Sequence, residues 1–173
     1  MAATAPARIR PFQPSDGSQV LALAPRLMEG VAHWRDPAAV GRAAKNWLQA
    51  SIDTAGQPGH AVYVAVADGQ VVGVVTVRER THFTGQTDAY VGELVVASGM
   101  ERRGIATALM NAVEAWTAQR GLAFLTLQTG AGNQPARGLY RQLGFDEEEL
   151  LLTKAIQPGH HGQPNIWARL RSS

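Results

Sequence analysis

Apolar residues along this chain recur with two different periods. Val20, Leu23, Ala24, Leu27 and Met28 return at helical spacing, whereas residues 61–67 and 70–80 are valine-rich runs that fit strands. Ala7 to Phe12 reads as a first strand. Pro14-Ser15-Asp16 offers a cap for the first helix, and Pro25, inside its pattern, should kink or split it. A second helix opens at Asp36-Pro37, a capping residue followed by proline at the first helical position. It runs to about Ile52, with Val40, Ala44, Trp47 and Ser51 along one stripe. Asp68-Gly69 is a two-residue turn that joins the valine-rich runs as a hairpin. His82 to Asp88 is a loop, and Ala89 to Val96 is another strand.

From Gly104 to Arg120 the pattern predicts a helix with Ile105, Leu109, Ala112, Val113 and Trp116 on one face, and Gly121 fits its C-terminal cap. Leu122 to Gln128 follows as a buried strand. Strand, helix and strand in series predict a parallel pair with a right-handed crossover. Asn133 caps a short helix that ends near Leu143 and Gly144. Phe145 to Ala155 reads as the last strand. Residues 157–173, rich in Pro, Gly and His, are either loose or pair as an added strand. No repeat or linker divides the chain, so residues 1–173 read as one domain.

Composition narrows the chemistry. With no cysteine, disulfides, thiolate metal sites and a cysteine nucleophile are excluded. The basic side is nearly all arginine, scattered along the chain, and the formal net charge is only +2, so a nucleic-acid surface is not expected. No apolar run approaches the ~20 residues of a membrane helix. The first residues, MAATAPARIRPF, lack the apolar core of a signal peptide, so a cytoplasmic location is expected. His160-His161 has no third ligand in view and reads as a solvated pair, so no metal is expected.

One stretch carries a specific signal. Between Glu93 and Gly121 a strand hands a glycine-marked loop to a helix N-terminus. Amides there have no partner within the helix, and the helix dipole adds positive potential, which together make a phosphate-binding device.

Two motifs extend this reading. The loop is Glu101-Arg102-Arg103-Gly104-Ile105-Ala106. Farther on, Asn133, Ala136, Leu139, Tyr140, Gly144 and Phe145 stand in the pattern N-x-x-A-x-x-L-Y-x-x-x-G-F. In this order and spacing the chain resembles the GCN5-related N-acetyltransferase (GNAT) family, firmly over about 89–145. The loop departs at its first position, Glu101, where the family has Gln or Arg; its carboxylate is expected to face solvent.

The resemblance implies an α/β (α+β) fold: a mixed, mostly antiparallel twisted sheet, one central parallel strand pair splayed around acetyl-CoA, and helices on both faces. It implies acetyl-CoA as co-substrate. Amides from Arg102 through Gly104, Ile105, Ala106 and Thr107 would converge on the pyrophosphate, with Arg102 and Arg103 free for phosphate contacts or simply solvated. Leu94, Val95 and Val96 would hold the pantetheine through their backbone, one amide near Val95 polarising the thioester carbonyl. Asn133 and Ala136 would border the cofactor, Asn133 also capping its helix.

Glu93 is a carboxylate on an otherwise apolar strand. It is either the base that takes the amine proton or a surface or ion-paired residue. Tyr140 is either the acid that protonates the departing thiolate, as the family tyrosine implies, or a core tyrosine. With an ordinary pKa near 10 it lies close enough to an alkyl thiol for transfer. His33, Trp34, His82 and Phe83 are candidate acceptor contacts or ordinary loop residues. Glu147-Glu148-Glu149 reads as a solvated strand edge or a lure for a cationic acceptor.

Three functions compete. The first is transfer of acetyl to a primary amine (small amine, amino acid, antibiotic or protein amine) by direct attack in a ternary complex. The second is a non-catalytic acyl-CoA-binding sensor or regulator, which needs neither Glu93 nor Tyr140. The third is nucleotide binding, which the absence of Gly-Lys-Ser/Thr and of G-x-G-x-x-G disfavours. A homodimer is compatible with the exposed strand edges.

Overall fold

In the computed structural model, which describes residues 6–156, five strands form one sheet in the order β1-β2-β3-β4-β5. β1 is Arg8–Pro11, β2 His60–Ala67, β3 Gln70–Thr81, β4 Thr87–Val96 and β5 Leu125–Leu127. The first three pairings, β1–β2, β2–β3 and β3–β4, are antiparallel; β4 and β5 are parallel. The Asp68-Gly69 turn takes positive φ at both residues (48° and 75°), as a tight hairpin with the strand twist requires.

The helices are α1 (Gly17–Ala22), α2 (Pro37–Asp53), α3 (Ile105–Gln119) and α4 (Gln134–Gln142). Pro25 acts as expected: the chain after α1 continues as a separate 3-10 turn, Ala24–Met28. Asp36 caps α2 by accepting from the amides of Ala38 and Ala39. The buried stripe of α2 is Ala44 and Leu48, and Trp47, expected on it, is half exposed. Residues 44 and 48 are one turn apart, and 47 falls to the side of that line.

The sheet separates two cores. On one face α3 packs Ile105, Leu109, Met110, Val113 and Trp116 against Val75, Val77, Ala89 and Val91. On the other, Val20, Leu23 and Leu48 pack against Val62, Val64, Val74 and Val95. Burying Leu109 or Leu48 completely contributes about 1.5–3 kcal/mol each.

Two strand expectations are corrected. The strand over 122–128 shrinks to Leu125–Leu127. The stretch 145–155 forms no strand among the described residues; Leu150, Leu151 and Leu152 are exposed. Four acids (146–149) followed by three leucines lack the alternation of a half-buried strand, and Arg137 and Arg141 hold Glu147 beside α4 instead. Residues 157–173, including His160-His161, lie outside the described residues.

Candidate active site

The site begins at an irregularity in β4. Val75 of β3 faces Leu94, but Val77 faces Val91, so β4 spends one extra residue at Gly92-Glu93. This bulge changes which face each side chain takes. Ala89 and Val91 point into the α3 core before it, whereas Val95 points into the α2 core after it. Glu93 turns to the α2 face and is buried, with 7% of its surface exposed.

Its carboxylate is held from two elements. Ser51 on α2 donates to Oε2 at 2.9 Å, and Thr76 on β3 donates to the same oxygen. Thr76 Oγ1 in turn accepts the Glu93 amide at 3.0 Å. A Cβ at Gly92 would come within 2.8 Å of that hydroxyl, so only glycine leaves Thr76 room at the bulge. Oε1 has no partner among the described residues, where no buried side-chain polar atom is left unsatisfied, so this oxygen reaches the accessible surface.

The parallel pair also opens here. Pairing of β4 with β5 covers Ala89–Leu125, Tyr90–Thr126 and Val91–Leu127, and stops. Beyond Val91, β4 keeps β3 as its neighbour and has a free edge on the β5 side. The Ala97 amide donates to Val72 O at 2.9 Å, so 97/72 and 95/74 are the hydrogen-bonded pairs of this antiparallel ladder. By alternation, the backbone groups of Leu94 and Val96 face the opening. The gap-facing amides near Val95 are therefore those of Leu94 and Val96.

At the far end of the opening, residues 97–104 turn into α3. Arg102 (φ 59°) and Gly104 (φ 76°) are left-handed, and Gly104 is the N-cap. A side chain at Gly104 would meet open space, so the backbone conformation, not crowding, is what favours glycine there. The first intrahelical bond runs from the Ala108 amide to Gly104 O, leaving the amides of Gly104, Ile105, Ala106 and Thr107 without helical acceptors. Residues 101–104 are exposed, and neither Arg102 nor Arg103 has an ion pair among the described residues.

Glu101 is held from another element. Its carboxylate pairs with Arg26 at 2.7 Å. Its own backbone amide is the largest cause holding it below the usual carboxylate range; partial desolvation opposes, and the Gly99 amide, Arg26 and Arg102 add to the effect. Arg26 also donates to Val96 O at 3.2 Å and pairs with Glu29. One guanidinium thus ties the 3-10 turn after α1 to the end of β4 and to the loop. Nothing in the local sequence flagged Arg26, Ser51 or Thr76, because their partners lie 42 to 75 residues away or only 17 residues off but on another strand.

After β5 the chain enters α4. The Asn133 side chain caps it by accepting from the Ala136 amide at 3.3 Å. Tyr140 is half-buried, its ring 5.7 Å from Phe145 in an edge contact. Burial pushes its phenol up to about 12. The loop carrying His33 and Trp34, whose rings meet edge-on at 5.0 Å, approaches this region: a Cβ on Gly130 would lie 2.2 Å from Gly30 O. His82 and Phe83 sit at the other end of the sheet, at the β3–β4 turn. There Phe83 is 82% exposed and His82 Nε2 lies 3.7 Å from Glu148. The structure therefore brings Glu93, Leu94 and Val96 to the point where β4 leaves β5, with residues 102–107 just beyond the end of β4, and leaves His82-Phe83 at the opposite end of the sheet. Among the described residues no group of acids and histidines could hold a metal, and no helix is long and apolar enough to cross a membrane.

The sequence model of the acetyltransferase (GNAT) family matches residues 28–145. An aminoglycoside N(6')-acetyltransferase type 1 of Salmonella typhimurium is 25% identical over 96 residues, 53% of this chain and 66% of the relative, so the match spans just under two thirds of that protein. Among solved structures, a putative acetyl transferase from Pyrococcus furiosus superposes with TM-score 0.70 at 19% identity, covering 87% of this chain and 99% of the other. An aminoglycoside N-acetyltransferase, AAC(6')-Iy, in complex with CoA superposes with TM-score 0.64 at 19% identity, covering 90% and 97%. At these identities the structural likeness establishes the fold, while the family model covers well over half of the chain. The chain belongs to the acetyltransferase (GNAT) family.

Proposed function

We propose that the protein transfers acetyl from acetyl-CoA to a primary amine, by direct attack in a ternary complex. The observation that carries this reading is the parting of β4 from β5 immediately before a buried, hydroxyl-held carboxylate. The fit to the donor substrate is favourable. Gap-facing groups of Leu94 and Val96 can accept an extended amide-bearing arm as a further strand. The orphan amides of residues 104–107, with Arg102 and Arg103 beside them, suit a pyrophosphate.

In this reading the amine nitrogen attacks the thioester carbonyl carbon. The C–N bond forms, the C–S bond breaks, and the sulfur keeps the bonding pair. The Leu94 amide, fixed in the ladder and facing the gap, stabilises negative charge on the carbonyl oxygen. The proton lost by the amine goes to Glu93 Oε1, directly or through one water. Ser51 and Thr76 keep Oε2 occupied and so aim the other oxygen.

Tyr140 faces a harder task than an ordinary tyrosine. A phenol near 12 is a weaker acid than an alkyl thiol by about 3.5 pKa units. Complete transfer from it is uphill, so Tyr140 donates a hydrogen bond to the departing sulfur, and the thiolate's field lowers the phenol as charge develops. Asn133 holds α4, and with it Tyr140, at the rim.

The test is thiol release from acetyl-CoA over a panel of amines. Glu93→Gln is expected to lower kcat by about 10²–10⁴-fold, and Tyr140→Phe by a smaller factor, with acetyl-CoA affinity retained in both. If acetyl-CoA binds and no amine is acetylated, the protein is an acyl-CoA-binding regulator and the proposal fails.

A further inference from the structure

The face that carries Glu93 continues beyond α2. Ser51, in the last turn of α2, reaches Glu93, and the helix ends at Asp53. Thr76, Arg78 and Arg80 alternate onto this same face of β3. Arg78 is exposed and Arg80 half-buried. Both guanidinium groups lie against the ring of Tyr90 on β4, Arg80 at 3.9 Å from its centroid and Arg78 at 5.1 Å. The Tyr90 hydroxyl points to Gln128 beyond β5, at 3.4 Å. Tyr90 pairs with Thr126 one step before the strands part.

Among the described residues neither Arg78 nor Arg80 has a carboxylate within ion-pair distance. Asp88 stands opposite Arg80 in the ladder without bridging to it. Glu79 turns to the other side and pairs with Arg120 at 2.6 Å, and Glu148 lies against His82. A planar aromatic flanked by two guanidinium groups holds them in place by cation–π attraction and leaves their N–H forks free for an oxyanion. Along β3 they stand about 7 and 14 Å from Thr76, whose hydroxyl touches the Glu93 carboxylate.

We infer that the acceptor is a primary amine that also carries an anionic group, a carboxylate or phosphate, some 7–14 Å from the amine along β3. This deepens the transferase reading and rests on it. An amine delivered to Glu93 would lay its anionic end on Arg78 and Arg80. Aminoglycosides, the acceptors named for several similar proteins, are polycations at neutral pH, and the same two guanidinium groups would repel them.

A matched series tests it: 6-aminohexanoate, hexylamine, 1,6-diaminohexane and kanamycin, with the full chain and acetyl-CoA. The expected order of kcat/KM puts 6-aminohexanoate first. In the double variant Arg78→Gln/Arg80→Gln its advantage over hexylamine falls by about 10- to 100-fold, through KM, as expected for losing charge-assisted hydrogen bonds. A preference for diaminohexane or kanamycin, or an advantage that survives the double variant, overturns the inference. If no amine releases thiol, the transferase reading fails by itself. Calorimetric binding of 6-acetamidohexanoate to the wild type and the double variant then still decides: loss of binding in the variant supports the anion site, and equal or absent binding rejects it.

Discussion

The loop before α3 and the face under α2 both manage charge, and they do it with different parts of the molecule. Before α3 the positive potential is made by backbone amides, set by the left-handed turns at Arg102 and Gly104. Under α2 the charges are side chains that hold one another: Arg10 grips Asp16 through two bonds at 2.6 and 2.8 Å, Arg26 bridges Val96 and Glu101, and Ser51 and Thr76 hold Glu93. A backbone-built site should tolerate an unusual side chain such as Glu101, but not a changed backbone. A site built from side chains should show the reverse.

The sharpest break of this comparison is Arg10→Ala. Asp16 is buried and also accepts the Gln13 amide at 2.8 Å, so losing Arg10 strands a carboxylate. The expected cost is about 2–3 kcal/mol, toward the lower side for a buried pair because the Arg10 side chain keeps 22% of its exposure. Urea unfolding at neutral pH measures it. The pH dependence has a definite sign. The hydrogen bonds from Arg10 hold the Asp16 carboxyl below its ordinary range. The pair therefore adds stability above the unfolded-state value near 3.9, and loses it as pH falls through the lower folded value. Wild type and Arg10→Ala should converge in acid; parallel curves down to pH 2 would show that the pair is not the source.

Next in size is Gly104→Val. A β-branched residue in the left-handed region costs about 1–2 kcal/mol of folding or forces the turn to change. Either way the amides of 104–107 lose their aim, and acetyl-CoA affinity should fall about 10- to 100-fold, read by calorimetry. Unchanged affinity would mean that Arg102 and Arg103, not the backbone, hold the phosphates.

Smallest is Glu101→Gln, which restores a family-like residue at the first loop position. Its partner Arg26 is a surface contact, and the amides do not move, so acetyl-CoA affinity should change less than about threefold. A larger gain would show that the carboxylate faces the phosphates in solution.

The two regions also differed in how well the sequence disclosed them. Gly104, Asn133 and Tyr140 lie in short local motifs, and local turn and cap chemistry is what adjacent residues dictate. The Asp68-Gly69 turn, the Asp36 cap and the Pro25 break were legible for the same reason. Ser51, Thr76, Arg26, Arg78 and Arg80 gave no such signal, because each acquires its meaning from a partner on another element. The expected strand at 145–155 failed because its apolar residues come as one block instead of alternating.

The bulge at Gly92-Glu93 marks the boundary between the two kinds of information. The sequence by itself determined that a strand ends in a glycine-marked turn into a helix N-terminus and carries one carboxylate, since both follow from residue type and local spacing. Only the tertiary structure decided where that carboxylate points and which amides are free. Pairing with β3 inserts one extra residue into β4, and that single step reverses the alternation of every residue after it. It sends Glu93 to the α2 face beside Ser51 and turns the backbone of Leu94, not of Val95, toward the opening.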